Sequence, residues 1–151
     1  MTTIKKDITT IESGTIVHQV NCRGAMGSGV ALAIKKKWPE VYDAYRAYLD
    51  SEEFCLELNV LGAIDVVKIN DSLSVVNLYG QDSYGNDGKR YTSYSAWELA
   101  LPAIKNRNLP EPIYFPYNVG CDRGGGDWRI ISAMIEEHFP DAIFCKWPPK
   151  K

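Results

Sequence analysis

The chain alternates short β-branched or aromatic runs with stretches whose apolar residues recur every three or four positions. The first pattern is typical of buried strands and the second of amphipathic helices. The strand-like runs predict strands at residues 15–20, 62–69 and 73–78. A polar Asn-Asp-Ser turn joins the last two, as in a hairpin. Later runs at residues 113–116 and 142–147 predict two more strands.

Helical periodicity fills most of the segments between these strands. A helix is predicted at residues 30–37, and a second begins at Pro39, where the missing N–H of proline costs nothing in a first turn. Either Thr92 or Ser93 would cap a third helix, and Asp127 would cap a fourth. The residues expected to face the core from the last three helices are Val41, Ala44, Tyr45 and Tyr48; Tyr94, Trp97, Leu101 and Ile104; and Ile130, Ile131, Met134 and Ile135.

The order of elements predicts a three-layer α/β/α sandwich around a mixed sheet of about six strands. A length of 151 residues suits a single domain, residues 1–151, and 45% hydrophobic with 24% charged residues is ordinary globular composition. A chain of this size buries a core without disulfides or metals. Its net charge of −2 argues against a strongly basic nucleic-acid surface.

Cysteine and histidine spacing gives no sign of a metal or cofactor site. Cys22, Cys55, Cys121 and Cys145 form no C-x-x-C pair, and the two histidines are far apart in sequence. The N-terminus lacks the apolar core of a signal peptide, and no apolar run approaches the length of a membrane span. We therefore expect a soluble cytoplasmic protein with free thiols, no cofactor and no membrane partner. Cys55 and Cys145 are expected to be small buried residues in strands.

Two glycine-rich stretches, residues 24–29 and 120–126, each lie between a predicted strand and a predicted helix. In an open α/β sheet such loops line the crevice where ligands bind, and a helix start offers N–H donors to an anion. The Walker A phosphate motif does not match, because Val30 and Ala31 replace its Lys-Ser/Thr. The dinucleotide-binding motif G-x-G-x-x-G is absent, and Met26 stands where the hydrolase motif G-x-S-x-G needs glycine. Tight turns alone would account for either loop by itself, whereas the two together predict a site for a diphosphate.

These residues resemble the macro domain, the ADP-ribose-binding fold, in four segments that follow the family's order. After a short first strand, residues 6–9 resemble its G-D-I-T segment, although Lys6 replaces the glycine. Residues 20–31 resemble its first phosphate loop in the form M-G-x-G-[IV]-A, residues 117–128 resemble the second loop, and residues 75–81 match the strand between them. This form is typical of the branch with ADP-ribose-1″-phosphate phosphatases and hydrolases that remove ADP-ribose from acidic side chains or DNA thymidine.

The resemblance implies a role for individual positions. Asp7 would accept from the adenine amino group, although a turn or cap is its alternative role. Asn21 would border the distal ribose and orient the phosphate or a water, or would only satisfy loop amides. Tyr117 or Asn118 would flank the adenosine, and Met26 and Tyr117 are alternatively ordinary packing residues. The other implied ligand-binding residues are Ile8, Gly24, Met26, Gly27, Ser28, Gly29, Val30, Gly120, Cys121, Arg123, Gly124 and Gly125.

Two positions depart from the pattern of this branch. Its de-ADP-ribosylating members carry a catalytic lysine shortly after the middle strand, where this chain has Gln81, which cannot form a lysyl adduct or supply a cation. Lys89 lies in the same loop at the wrong spacing. Asp122 puts a carboxylate where the family often has glycine. We therefore expect a phosphatase that converts ADP-ribose 1″-phosphate to ADP-ribose, with Asn21 and Asp122 as catalytic residues and Arg123 pairing with phosphate.

Three other functions stay open at this point. One is a hydrolase that removes ADP-ribose from protein or DNA, another is a non-catalytic reader or scavenger of ADP-ribose, and the third is a nucleic-acid-binding domain, which the net charge disfavours. The expected partner is ADP-ribose or one of its conjugates, and nucleic acid enters only as an ADP-ribosylated substrate. The protein is expected to be a monomer.

Overall fold

A six-stranded sheet forms the centre of the computed structural model, which describes residues 1–51 and 60–146. The strands are β1 (Thr2–Ile4), β2 (Gly14–Asn21), β3 (Ile64–Lys68), β4 (Leu73–Gln81), β5 (Ile113–Pro116) and β6 (Ile143–Cys145). Their order across the sheet is β1-β6-β5-β2-β4-β3. Neighbouring strands are parallel except β3 and β4, which pair antiparallel as the predicted hairpin. The mixed six-stranded sheet is therefore confirmed.

Helices cover both faces of the sheet. They are α1 (Gly29–Lys37), α2 (Pro39–Asp50), α3 (Tyr94–Asn106) and α4 (Trp128–His138), with a 3₁₀ turn at Ile8–Thr10. Because side chains alternate along a strand, Ile16 and Val20 of β2 pack with α1 and α2, while Val17 packs with α3 and α4. The three-layer sandwich follows from these two separate hydrophobic clusters.

The predicted helix starts are confirmed, with one choice decided. Ser93 caps α3 by accepting the N–H of Ala96 at 3.1 Å, whereas the Thr92 side chain bonds elsewhere. Asp127 caps α4 by accepting the N–H of Arg129. The prediction that Ile130 faces the core is wrong, because this residue is on the solvent side of the first turn of α4 and is 42% exposed.

Strand β4 runs beyond its predicted end at residue 78 and ends at Gln81. Tyr79 and Gln81 pair with Val20 and Asn21 of β2, so the parallel pairing reaches the end of both strands, with a register shift between Val20 and Asn21. Tyr79 is fully buried and its ring stacks on that of Tyr45 at 5.8 Å. The extension brings Gln81 to the same edge of the sheet as Asn21.

The structure describes three of the four cysteines and most of the predicted last strand. Cys145 is a buried strand residue, as predicted, while Cys55 and Trp147 lie outside the described residues. Cys22, Cys121 and Cys145 are free cysteines. Within residues 1–51 and 60–146, no helix is both long and apolar enough to cross a membrane.

Candidate functional site

A cleft of about 570 Å³ opens at the carboxyl ends of β2, β4 and β5. The last residues of these strands, Asn21, Gln81 and Pro116, all line it. The rest comes from the first glycine-rich loop with the start of α1, the loop after β4 and the second glycine-rich loop. Its volume is typical of a small-molecule site.

The first glycine-rich loop is shaped by Asn21 and by Tyr45 of α2. Asn21 Oδ1 accepts the backbone N–H groups of Arg23 at 2.9 Å and Ala25 at 3.4 Å, and its Nδ2 donates to the carbonyl of Ala25 at 2.8 Å. The buried Tyr45 hydroxyl lies 2.7 Å from Asn21 Oδ1 and accepts the N–H of Gly24 at 2.8 Å. The oxygen of Asn21 therefore orders the loop, and its amide nitrogen has a second hydrogen besides the one donated to Ala25.

Gly27 and Gly29 border open space rather than protein. Among the described residues, no heavy atom lies within 4 Å of a Cβ built at either position. Gly29 has a φ of 59°, which favours glycine. Gly27 has no positive φ, so its backbone conformation does not require glycine. Gly24 differs, because the Arg46 guanidinium occupies the place of its Cβ. Packing within the protein does not require glycine at position 27.

The second glycine-rich loop packs tightly against residues 89–92. A Cβ at Gly124 would lie 2.5 Å from Thr92 Oγ1, and one at Gly125 would lie 2.6 Å from the carbonyl of Lys89. The carbonyl of Gly124 accepts the N–H groups of Tyr91 and Thr92 at 2.8 and 2.9 Å. Close backbone packing therefore requires these glycines, independently of any ligand.

Gln81 stands at the end of β4 and is held by neutral hydrogen bonds. Its Oε1 accepts from Gln19 Nε2 at 2.6 Å, and its Nε2 donates to the carbonyl of Ser83 at 2.7 Å. Lys89 is exposed, does not line the cleft, and lies 3.9 Å from the Asp87 carboxylate. Lys89 is therefore a surface residue here and does not stand in for a lysine at position 81.

Charged and aromatic side chains line the cleft from two of its loops. Asp122 and Arg123, both exposed, line it from the second glycine-rich loop, and Tyr84, 56% exposed, lines it from the loop after β4. Arg23 and Asp82 form an ion pair of 3.1 Å that joins this loop to the first glycine-rich loop. Asp122 and Arg123 give the lining of the cleft both charge signs.

His18, which lines the cleft, and the half-buried Cys22 and Cys121 beside it are held neutral. His18 Nε2 lies 2.6 Å from Asn77 Oδ1, and burial lowers the pKa of His18 to about 4. Burial raises the pKa of Cys22 to about 11 and that of Cys121 to about 12. Neither an imidazolium nor a thiolate is therefore present at neutral pH. In the described part of the chain, no three His, Cys, Asp or Glu side chains group to hold a metal ion.

No protein-family model matches the chain. A solved structure of a protein of unknown function from Bacteroides thetaiotaomicron is 30% identical, with a TM-score of 0.84 and 96% of each chain covered. The macrodomain protein of Streptomyces coelicolor is 22% identical, with a TM-score of 0.76, and covers 96% of this chain and 97% of its own. The chain has the macro domain fold.

Three further proteins are similar to this macro domain. The DNA ADP-ribosyl glycohydrolase of Mycobacterium tuberculosis is 26% identical over 149 residues, which are 95% of this chain. This chain spans only 40% of the length of that relative. An uncharacterised 17.5 kDa protein of Enterobacteria phage T4 is 26% identical over 97% of this chain and 96% of its own. Thermosipho africanus DarTG in complex with ADP-ribose is 18% identical, with a TM-score of 0.76, and covers 99% of this chain and 42% of its own.

The macro domain fold brings most of the predicted site residues to the cleft. Those that line it are Asn21, Met26, Gly27, Ser28, Gly29, Val30, Tyr117, Asn118, Gly120, Asp122, Arg123 and Gly124. Met26 is also 2% exposed and belongs to the core, so it both packs and lines. The ring of Tyr117 likewise packs on Trp128 at 5.2 Å. Their contacts with a ligand stay predictions.

Five predicted residues do not line the cleft: Asp7, Ile8, Gly24, Cys121 and Gly125. Asp7 caps the 3₁₀ turn, since its Oδ1 accepts the N–H of Thr9 at 2.9 Å and the hydroxyl of Thr9 at 2.7 Å. Ile8 and Cys121 pack into the two hydrophobic clusters. Gly24 and Gly125 shape the loop backbones. Any contact of these five residues with a ligand therefore stays a prediction.

Sequence reasoning missed three residues that shape the cleft. The sequence pattern predicts only packing for Tyr45 and only a strand position for Gln19, and it predicts no element at Tyr84. A polar side chain inside an apolar strand, as at Gln19, was the one available signal. Nothing local to Tyr45 or Tyr84 indicates the contacts they make.

Proposed function

We propose that the cleft binds ADP-ribose and that the protein hydrolyses ADP-ribose 1″-phosphate to ADP-ribose and phosphate. The observation that carries the proposal is an open glycine-lined cleft whose lining includes Asp122, Arg123 and a neutral Gln81 in place of a lysine. The ADP-ribose named in the Thermosipho africanus complex supports the ligand class.

The geometry of the first loop supports the binding of a phosphate. The open space at Gly27 and Gly29 lies at the start of α1, where the first backbone N–H groups of a helix lack partners within the helix. A helix N-terminus also carries positive partial charge. The second glycine-rich loop would contact the other phosphate with its backbone. A diphosphate between the two loops would need no lysine and no metal ion.

The proposed reaction is hydrolysis of a phosphate monoester. Water attacks phosphorus, and the new P–O bond forms as the bond between phosphorus and the ester oxygen on C1″ breaks. Asp122 accepts a proton from the water, and the ester oxygen gains a proton as it becomes the hydroxyl of ADP-ribose. Arg123 pairs with the phosphate oxygens, and the second amide hydrogen of Asn21 orients the phosphate or the water.

The test is phosphate release from ADP-ribose 1″-phosphate. Asp122→Ala should lower the rate about 100-fold or more, the usual contribution of a general base. Asp71→Ala, which removes an exposed carboxylate at the β3–β4 turn, is the matched control and should keep the wild-type rate. Release at the wild-type rate by Asp122→Ala would exclude Asp122 as the base. Tight ADP-ribose binding without phosphate release would exclude the phosphatase and leave the binding site in place.

A second candidate is hydrolysis of ADP-ribose from DNA or protein. It is favoured by the 26% identity to a DNA ADP-ribosyl glycohydrolase over 95% of this chain. The exposed Tyr84 at the rim would stack on a nucleobase attached to the distal ribose. This activity predicts release of ADP-ribose from an ADP-ribosylated oligonucleotide, and a mass-spectrometric search for a lysine–ribose adduct would show whether Lys89 enters the site.

A further inference from the structure

A directional set of hydrogen bonds connects the core to two loops of the cleft. It consists of Trp97, Gln19, Gln81 and Thr92, and is called the Gln19 network below. Trp97 Nε1 can only donate, so Gln19 Oε1, 2.7 Å away, must accept. This fixes the orientation of the amide, and Gln19 Nε2 donates to Gln81 Oε1 at 2.6 Å and to Thr92 Oγ1 at 3.0 Å.

Each acceptor of Gln19 then donates onward to a backbone carbonyl. Because Thr92 Oγ1 accepts from Gln19, its own hydrogen goes to the carbonyl of Gly120 at 2.6 Å. Gln81 Nε2 donates to the carbonyl of Ser83 at 2.7 Å. The Gln19 network therefore ends on the second glycine-rich loop and on the loop after β4, and both loops border the cleft.

The second glycine-rich loop also packs directly on the Gln19 network. A Cβ at Gly120 would lie 3.0 Å from Gln19 Oε1, and one at Gly124 would lie 3.2 Å from Gln19 Nε2. The carbonyl of Gly120 accepts a second hydrogen bond, from the N–H of Gly126 at 3.0 Å. Thr92 is 2% exposed, so water cannot readily replace its hydroxyl.

We propose that Gln19 and Thr92 are positioning residues that hold the second glycine-rich loop in the shape that receives the diphosphate. The inference rests on the proposed ADP-ribose site. Without the Thr92 hydroxyl, the Gly120 carbonyl loses its side-chain donor and the loop samples other shapes. Ligands that reach the second loop should then lose affinity, while a ligand held by the adenosine end should not.

The experiment compares Thr92→Val with two controls. Thr92→Ser keeps the hydroxyl and should rescue the variant. Thr15→Val removes an equally buried hydroxyl from the opposite end of β2, where Thr15 Oγ1 donates to the carbonyl of Pro110 at 2.7 Å. Calorimetry measures the affinity for ADP-ribose and for AMP, which lacks the second phosphate and the distal ribose. Melting temperatures and hydrogen exchange at residues 120–126 are measured on all four proteins.

Thr92→Val should bind ADP-ribose about tenfold more weakly and AMP within twofold of wild type, with faster exchange at residues 120–126. Thr15→Val should lower the melting temperature with neither effect. Equal losses for both ligands, or unchanged exchange at residues 120–126, would overturn the positioning role. A wild-type protein that binds neither ligand would instead contradict the proposed function, and the exchange data would still decide whether Thr92 orders the loop. Gln19→Glu keeps the acceptor for Trp97 but loses both donated bonds, so it should also speed exchange at residues 120–126.

Discussion

The hydroxyl of Tyr45 lies 2.7 Å from Oδ1 of Asn21, so a side chain of α2 sets the position of the residue that ends β2. The same hydroxyl accepts the N–H of Gly24 at 2.8 Å. One phenol thus connects the strand end, the first glycine-rich loop and the helix layer. The loop is ordered before any ligand arrives, which lowers the entropic cost of binding.

Tyr45→Phe should therefore weaken both the fold and the ligand site. We expect the free energy of unfolding to fall by about 1–3 kcal/mol, because the Gly24 N–H and Asn21 lose a buried partner. Affinity for ADP-ribose should fall with it. Tyr42→Phe, in the same helix with its ring 6.2 Å from that of Tyr45, should change stability by less than about 0.5 kcal/mol. Denaturant unfolding of both variants measures the difference, and equal effects would show that the Tyr45 hydroxyl has no special role.

The glycines of the two loops should respond in opposite ways to alanine. Gly27→Ala adds a methyl group to open space, so we expect an unchanged melting temperature and a loss of ADP-ribose affinity. Gly124→Ala brings Cβ within 2.5 Å of Thr92 Oγ1 and 2.7 Å of the Gly120 carbonyl, so it should destabilise the fold by about 1–3 kcal/mol. Thermal unfolding and calorimetry of the pair test this. Full ligand affinity in Gly27→Ala would mean that the ligand does not occupy the space beside it.

Asp7 offers a test of the adenine contact. Asp7→Ala should weaken ADP-ribose binding by about 1–3 kcal/mol, the cost of an unpaired polar group. It should hardly change the binding of a ribose phosphate that lacks adenine. Because Asp7 also caps the 3₁₀ turn at Thr9, Asp7→Asn is the control that keeps an acceptor for the turn. Calorimetric losses of equal size for both ligands would make Asp7 a purely structural residue.

The lowered pKa of the buried His18 ring makes the stability of the fold depend on pH. Burial lowers the pKa of His18 from 6.5 to about 4, so the folded state holds the ring neutral while the unfolded state protonates it first. The stabilisation is complete above pH 6.5 and is lost as the pH falls toward 4, by roughly 3 kcal/mol in all. Urea unfolding between these two pH values measures the slope. His18→Gln should flatten that slope, and a slope identical to wild type would contradict the assignment.

Local patterns predicted most of the fold, and tertiary contacts explain the exceptions. Alternation in β2 and the capping residues Ser93 and Asp127 are readable from a few neighbouring positions. The predicted end of β4 at residue 78 is wrong, and a glycine just beyond it, Gly80, has a sequence typical of a turn. In the structure Gly80 is a strand residue, and a Cβ there would collide with Gln19 Oε1 and lie 2.7 Å from Trp97 Nε1, so close approach requires glycine. A glycine that permits close approach and a glycine that permits a turn have the same sequence signature.

The candidate site was predictable where it is continuous in sequence. The two glycine-rich loops follow strands and precede helices, so their place in the cleft follows from the order of elements. Tyr45 and Gln19 act on partners 21 or more positions away, namely Gly24 for Tyr45 and Thr92 and Trp97 for Gln19. Such pairs are set by how α2 and α3 pack on the sheet, which no single stretch of sequence specifies.

The protonated thiols beside the cleft have a consequence for covalent chemistry. Cys22 follows β2 directly and Cys121 lies within the second glycine-rich loop, so each cysteine adjoins one of the two proposed phosphate loops. Since burial keeps the pKa of both thiols at about 11 or 12, almost none of either thiol is a nucleophile at neutral pH. We therefore expect thiol-alkylating reagents to modify Cys22 and Cys121 slowly at neutral pH.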